Sequence, residues 1–216
     1  MSSPPDVFAE FLDVLTRGGV AALPTESFFG LLAAAERPDA IDRLLSLKPR
    51  GADKGMPLVL SSYDDWSALV EEIPKGAAAL ADAFWPGGLS IALRAAPSVD
   101  QRLLLDGRIA VRLPGASAAR DLARLYGNAL TATSANLPGE PPATSPKAVE
   151  HSFPRAVESG TLAVWNDTSP GGLPSTMVVF DEGRAWIARD GAVARERVAG
   201  VLGKAGVSLD GRDAHR

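Results

Sequence analysis

Cysteine is absent from this 216-residue chain, which removes disulfides, thiolate nucleophiles and cysteine–zinc sites together. The same absence suits a reducing compartment. Histidine is scarce: His151 falls in a short surface helix pattern and His215 in the tail. With no cysteine and no central histidine, neither a Ser-His-Asp nor a Cys-His mechanism has its parts, and a histidine-based metal site fails likewise. No apolar run nears the roughly 18 residues that a membrane helix requires. The opening MSSPPDVFAEF lacks the basic-then-apolar order of a secretory signal. The expectation is a cytoplasmic protein with no membrane contact. No GxxxxGK[ST] segment occurs, and no GxGxxG follows a strand pattern, so a P-loop and a Rossmann fingerprint are both excluded. A basic surplus is missing too. The formal net charge is −4, whereas a dedicated nucleic-acid binder usually carries positive charge to neutralise phosphates.

What is present is an alternation of helical and strand patterns. Val7, Phe8, Phe11, Leu12 and Leu15 share a helical face that Gly18-Gly19 ends, and VAALP (20–24) reads as a buried strand before the turn Thr25-Glu26-Ser27. A helix is expected near 39–48 with Asp39 as its cap, and further helical stretches near 64–72, 75–84, 117–127 and 194–203. Ser145-Pro146 reads as a cap followed by proline at the first helical position. Strands are expected at 58–61, 89–95, 109–113 and 129–135, and in LAVWND, TMVVFD and AWIAR. The pattern predicts an α/β (mixed) fold, a sandwich around one twisted mixed sheet. It forms a single domain over 1–204, with 205–216 as a flexible tail.

Four polar segments stand at the ends of these elements: PTESFFG (24–30), KPRGADKG (48–55), TSANLPGEPP (133–142) and GGLPSTMV (172–179). Arg112 and Arg189 add two cations at strand positions. Taken singly, each has a plain structural explanation as a turn, a cap or a solvated basic loop. Lysine is rationed, with only Lys48, Lys54, Lys75, Lys147 and Lys204 among 22 basic residues, so the close pair Lys48 and Lys54 draws notice.

In combination and in order, the segments resemble the YrdC/TsaC family of threonylcarbamoyl-adenylate synthases. The likeness rests on PTESFFGL, Lys48 and Arg50 with Lys54 following, FWPGGLSIAL, IAVRLP, SAN-x-x-G-x-PP, PST and IARDG. It runs from Gly18 to about Gly191. Phe29 takes the place often held by tyrosine in that family, and Gly51 that of a common proline. The resemblance implies the single-domain form, a concave cationic cleft, and synthesis of threonylcarbamoyl-adenylate from L-threonine, bicarbonate and ATP with release of pyrophosphate. It makes the chain a nucleotidyltransferase of tRNA modification. Arg50, Lys54, Ser134, Asn136 and Arg189 are expected to hold the nucleotide. Lys48 and Arg50 are the expected catalytic cations, and Thr25, Arg112 and Ser175 would hold threonine. Magnesium would arrive with ATP and no protein metal site is expected. The product would pass in a transient encounter to a tRNA threonylcarbamoyl transferase complex, with any direct grip on tRNA weak.

The chemistry fits such an inventory. All three substrates are anionic or become so, and positioning with electrostatic screening is what phosphoryl-type transfer chiefly needs. Three other readings stay open at this point. They are a carbamoyl-adenylate-forming enzyme on the same scaffold, a non-catalytic RNA-binding member, and a paralogue that keeps the fold without the synthesis.

Overall fold

The computed structural model describes residues 4–48 and 55–211. In chain order, the first strands are β1 (Val20–Pro24), β2 (Phe29–Leu32), β3 (Leu58–Val59), β4 (Leu89–Arg94) and β5 (Arg108–Arg112). Then come β6 (Leu130–Thr131), β7 (Thr133–Ser134), β8 (Leu162–Val164), β9 (Thr176–Asp181) and β10 (Arg184–Arg189). The helices are α1 (Pro4–Thr16), α2 (Pro38–Leu47), α3 (Lys75–Phe84), α4 (Ala118–Tyr126), α5 (Pro146–Ser152), α6 (Pro154–Glu158) and α7 (Arg195–Lys204).

The fold is mixed α/β, but it is built on two sheets where one was expected. One has the order β7-β2-β1-β8, the other β10-β9-β4-β5-β3-β6, and each mixes parallel with antiparallel pairs. The reason lies in the segment 129–135, which reads as a single strand. Its first part, β6, pairs with β3 in the larger sheet, and its second part, β7, pairs with β2 in the smaller one. Ala132, between them, donates its N–H to the Pro57 carbonyl. A strand that changes sheets makes a corner between them, which is how sheets packed at an angle are commonly joined.

β1 and β2 are buried along their whole length, with apolar side chains on both faces. On one face Ala21, Leu23 and Leu32 meet Phe8, Phe11 and Leu15 of α1 and Leu122 of α4. On the other, Val20, Ala22, Phe29 and Leu31 enter the main core, which also takes Leu80 of α3 and Val198 and Leu202 of α7. Fully burying one such leucine stabilises the fold by about 1.5–3 kcal/mol. This two-sided burial also explains why β2 was not foreseen. FGLL has no polar alternation to mark it as a strand.

Local signals account for several helix ends. Ser145 caps α5 by accepting from the Ala148 N–H at 3.3 Å, with Pro146 at the first helical position, as expected. Ser117 caps α4 in the same way, and Gly127 closes that helix with a left-handed φ of 84°. At α2 the cap is Arg37, not Asp39. Pro38 occupies the first turn, and Asp39 instead pairs with the Arg37 guanidinium at 2.8 Å. The stretch 64–72 forms only a 3-10 helix, Asp64–Ala68. The tail expected from 205 is held as far as 210: Leu209 bridges to Ala185, and the Asp210 N–H donates to the Ala185 carbonyl at 2.7 Å. The free edge of β10 supplies those partners.

Candidate functional site

Strand ends drawn from both sheets surround one cavity of about 120 Å³. Thr25 follows β1, Ser134 ends β7, Arg112 ends β5, Ser175 precedes β9 and Arg189 ends β10, and all five line it. Phe29, Ser90 and Thr133 complete much of the wall. Sequence positions up to 164 apart are therefore gathered in one hollow, as Thr25 and Arg189 show.

Each side chain has a definite anchor. The Thr25 hydroxyl donates to the Phe28 carbonyl at 2.8 Å and accepts from the Ser27 and Phe28 N–H groups, which folds 25–28 into a tight turn. Arg112 donates through Nη2 to Glu26 Oε2 at 2.8 Å, and Glu26 Oε1 accepts the Gly115 N–H at 2.8 Å. Glu26 thus ties the arginine to the loop that follows β5. Burial pushes the Arg112 pKa down from its usual value, and the Glu26 charge opposes that shift. Arg112 Nε and Nη1 have no hydrogen bond among the described residues. That leaves much of a guanidinium fork for a ligand carboxylate.

Arg189 reaches its place through a β-bulge. Ile187 pairs with Val178 and Arg189 with Met177, so Ala188 is an extra residue in β10 and the arginine is re-aimed. Its Nε donates to the Ser175 carbonyl at 3.0 Å and its Nη2 to Ser175 Oγ at 2.8 Å. Ser175 Oγ also shares a 2.8 Å hydrogen bond with Ser90 Oγ. As a residue Arg189 is exposed at the cavity mouth. Desolvation of its guanidinium, followed by the nearby Arg112 charge, lowers its pKa.

Lys48 and Asn136 adjoin the cavity through Ser134. The buried Lys48 ammonium donates to the Ser134 carbonyl at 2.5 Å, to Ser134 Oγ at 2.9 Å and to Asn136 Oδ1 at 3.0 Å. Asn136 then spends its amide on the Leu137 and Glu140 carbonyls, which fixes the loop after β7. In this structure Lys48 acts as a cationic clamp joining the end of α2 to β7. Arg50 and Lys54 lie outside the described residues.

The sequence reading gave no role to Glu26, which anchors Arg112, or to Thr133, which lines the cavity. Glu26 reads as an ordinary turn residue, and only its proximity to Arg112 gives it meaning. Thr133 reads as one more β-branched residue of a strand. A larger groove of about 710 Å³ opens at the far ends of β4 and β9, edged by Glu71, Glu72 and Lys75 and by Arg94, Asp181 and Glu182. Arg94 is already paired there with Asp181 at 3.5 Å, and among the described residues none of the expected site residues lines it. The smaller cavity is the chemical candidate. It offers cations and hydroxyls with no cysteine or histidine among its lining residues. Such a lining can hold, orient and screen anions, and it lacks the parts for thiol or imidazole catalysis.

Comparison with known proteins bears on this arrangement. A family model for Sua5, YciO and YrdC, described as telomere recombination, matches residues 13–191. A threonylcarbamoyl-AMP synthase of Idiomarina loihiensis is 35% identical over 179 residues, covering 81% of this chain and 92% of the relative. The crystal structure of Pyrococcus abyssi Sua5 complexed with L-threonine superposes with a TM-score of 0.81 at 28% identity, covering 93% of this chain and 58% of that one. This chain thus spans little more than half of the Pyrococcus protein. Escherichia coli YciO, at 20% identity and a TM-score of 0.77, shares the fold over 89% of this chain and 93% of its own.

Proposed function

The chain belongs to the Sua5/YciO/YrdC family, and from that premise we propose that it makes threonylcarbamoyl-adenylate. Its substrates on this reading are L-threonine, bicarbonate and ATP, its by-product is pyrophosphate, and its product serves threonylcarbamoyladenosine modification of tRNA. The observation that carries the reading is the convergence of Thr25, Arg112, Ser134, Ser175 and Arg189 on one cavity. In this account the enzyme is a nucleotidyltransferase. The threonine amine takes up bicarbonate-derived CO₂ to form a carbamate. A carbamate oxygen then bonds to the α-phosphorus of ATP, and the bond to pyrophosphate breaks.

The reacting partners repel each other, so the chain's own work is to hold them together. Arg112 grips the threonine carboxylate with the part of its fork that Glu26 leaves open. Ser175 and Arg189, from the same sheet as Arg112, continue its wall. Ser134 and Asn136, fixed by Lys48, offer the nucleotide a rigid edge, and Lys48 contributes positive charge there. A cavity of about 120 Å³ suits the amino acid, since sites that enclose larger ligands run to roughly 300–1,000 Å³. The triphosphate then lies outside it, and Arg50 and Lys54 are the residues proposed to hold it. One preorganised donor aimed at developing charge is worth about 2.7–4 kcal/mol.

No group of three or more His, Cys, Asp or Glu among the described residues could hold a metal ion. Magnesium is proposed to come in with the triphosphate, held by phosphate oxygens and water. Among the described residues no helix is long and apolar enough to cross a membrane, and we place the enzyme in the cytoplasm beside a separate transferase that consumes the adenylate.

An adenylation assay tests the proposal. Pyrophosphate release from ATP should require L-threonine and bicarbonate together, and Lys48→Ala should abolish it. Release indifferent to threonine would point to carbamoyl transfer to another acceptor. No release, with salt-sensitive RNA binding, would point to an RNA-binding role.

A further inference from the structure

Six hydroxyls surround the cavity, and five of them have partners. Thr25 is committed to its own turn, Ser27 lies 3.5 Å from Thr25 Oγ1, Ser90 and Ser175 bond each other, and Ser134 accepts from Lys48. Thr133 differs. Its residue is only 3% exposed, it lines the cavity, and its Oγ1 has no hydrogen-bond partner among the described residues. Thr131, two positions earlier on the same segment, shows the ordinary alternative: its hydroxyl accepts the Ala33 N–H at 2.9 Å.

A buried hydroxyl without a partner has lost its hydration and gained nothing in return, so such groups are rare and call for an explanation. β7 holds Thr133 rigidly, paired opposite Leu31 of β2, and it stands in the same wall as Ser134. We infer that the Thr133 hydroxyl is a hydrogen-bonding contact for the amino acid bound in the cavity. A hydroxyl both donates and accepts, so it can serve a carboxylate or carbamate oxygen or the amine. The ligand supplies the missing partner, and the unpaired hydroxyl of the free protein becomes affinity for the bound one. This inference rests on the reading of the cavity as the threonine site.

Thr133→Val tests it, because it replaces the hydroxyl by a methyl group with little change of shape. The full-length chain is compared with the variant in ligand-free thermal melts and in steady-state pyrophosphate release. Ligand-free stability should stay level or rise, since a group with no partner is being removed. The KM for L-threonine should rise about tenfold, the scale of one lost hydrogen bond, with the KM for ATP unchanged. Thr133→Ser, which restores the hydroxyl, should return the threonine KM toward that of the parent. An unchanged threonine KM in Thr133→Val overturns the inference. So does a lowered ligand-free melting temperature, which would reveal an internal partner. Arg112→Ala separates the two levels of argument. If it raises the threonine KM while Thr133→Val does not, only the inference fails. If neither variant moves it, the reading of the cavity fails and takes the inference with it.

Discussion

A methyl group on Gly191 has nowhere to go. Its Cβ would collide with the Pro174 carbonyl oxygen and stand 2.6 Å from Ser175 C and Thr176 N. The backbone after β10 lies directly on the segment that presents Ser175, and Thr176 Oγ1 fastens the two by accepting from the Val193 N–H and donating to its carbonyl. Gly191→Ala must therefore push the loop off the site. The expected loss is about 1–3 kcal/mol of stability, the usual scale of overpacking, with a lower rate of pyrophosphate release as Ser175 and Arg189 separate. Thermal melts and the release assay together check this. At this scale the sequence was only partly readable. Arg112, Ser134, Ser175 and Arg189 stood out as polar residues at strand ends, yet nothing local places them in one hollow. Their gathering was inferable only from the order of whole motifs. Glu26 and Thr133 carry no local mark at all, because their significance lies in what faces them across the fold.

Elements were legible where backbone chemistry is local. Ser145-Pro146 and the stretch 117–127 show their ends in their own side chains, and both form as the sequence indicates. Ser117→Ala should remove one such end. Losing a serine cap costs about 1 kcal/mol, which in a domain of this size lowers the melting temperature by roughly 2–4 °C. Because α4 packs behind β1 and β3 rather than at the cavity, the threonine KM should not follow. Where packing decides, local reading fails. β2 is hidden by burial on both faces, Pro38 moves the start of α2 one residue ahead of the acid that looked like its cap, and the bulge at Ala188 has no signature in AWIAR.

For the molecule as a whole, pH acts through groups remote from the cavity. Burial of Tyr63, followed by its hydrogen bond to Asp82 and the charge there, pushes the phenol up from 10.0 to about 12. The folded state then keeps a proton that the unfolded chain has already released. Stability linked to Tyr63 is complete below pH 10 and is lost as pH rises toward 12. Tyr63→Phe should flatten that alkaline decline in denaturant melts. The acid side has the opposite sense. Burial of Asp65 alone would raise its pKa, but hydrogen bonds from the Ser61 and Ser62 hydroxyls and N–H groups outweigh that and lower it. Its contribution is present above the ordinary carboxylate range and fades as pH falls through the lowered value.

The corner at Ala132 gives this architecture a mechanical side. Thr25 and Ser134 belong to one leaf, while Arg112, Ser175 and Arg189 belong to the other. A molecule seated between them would touch both leaves like a rivet across a fold line, so its binding should raise the melting temperature of the whole body in thermal melts.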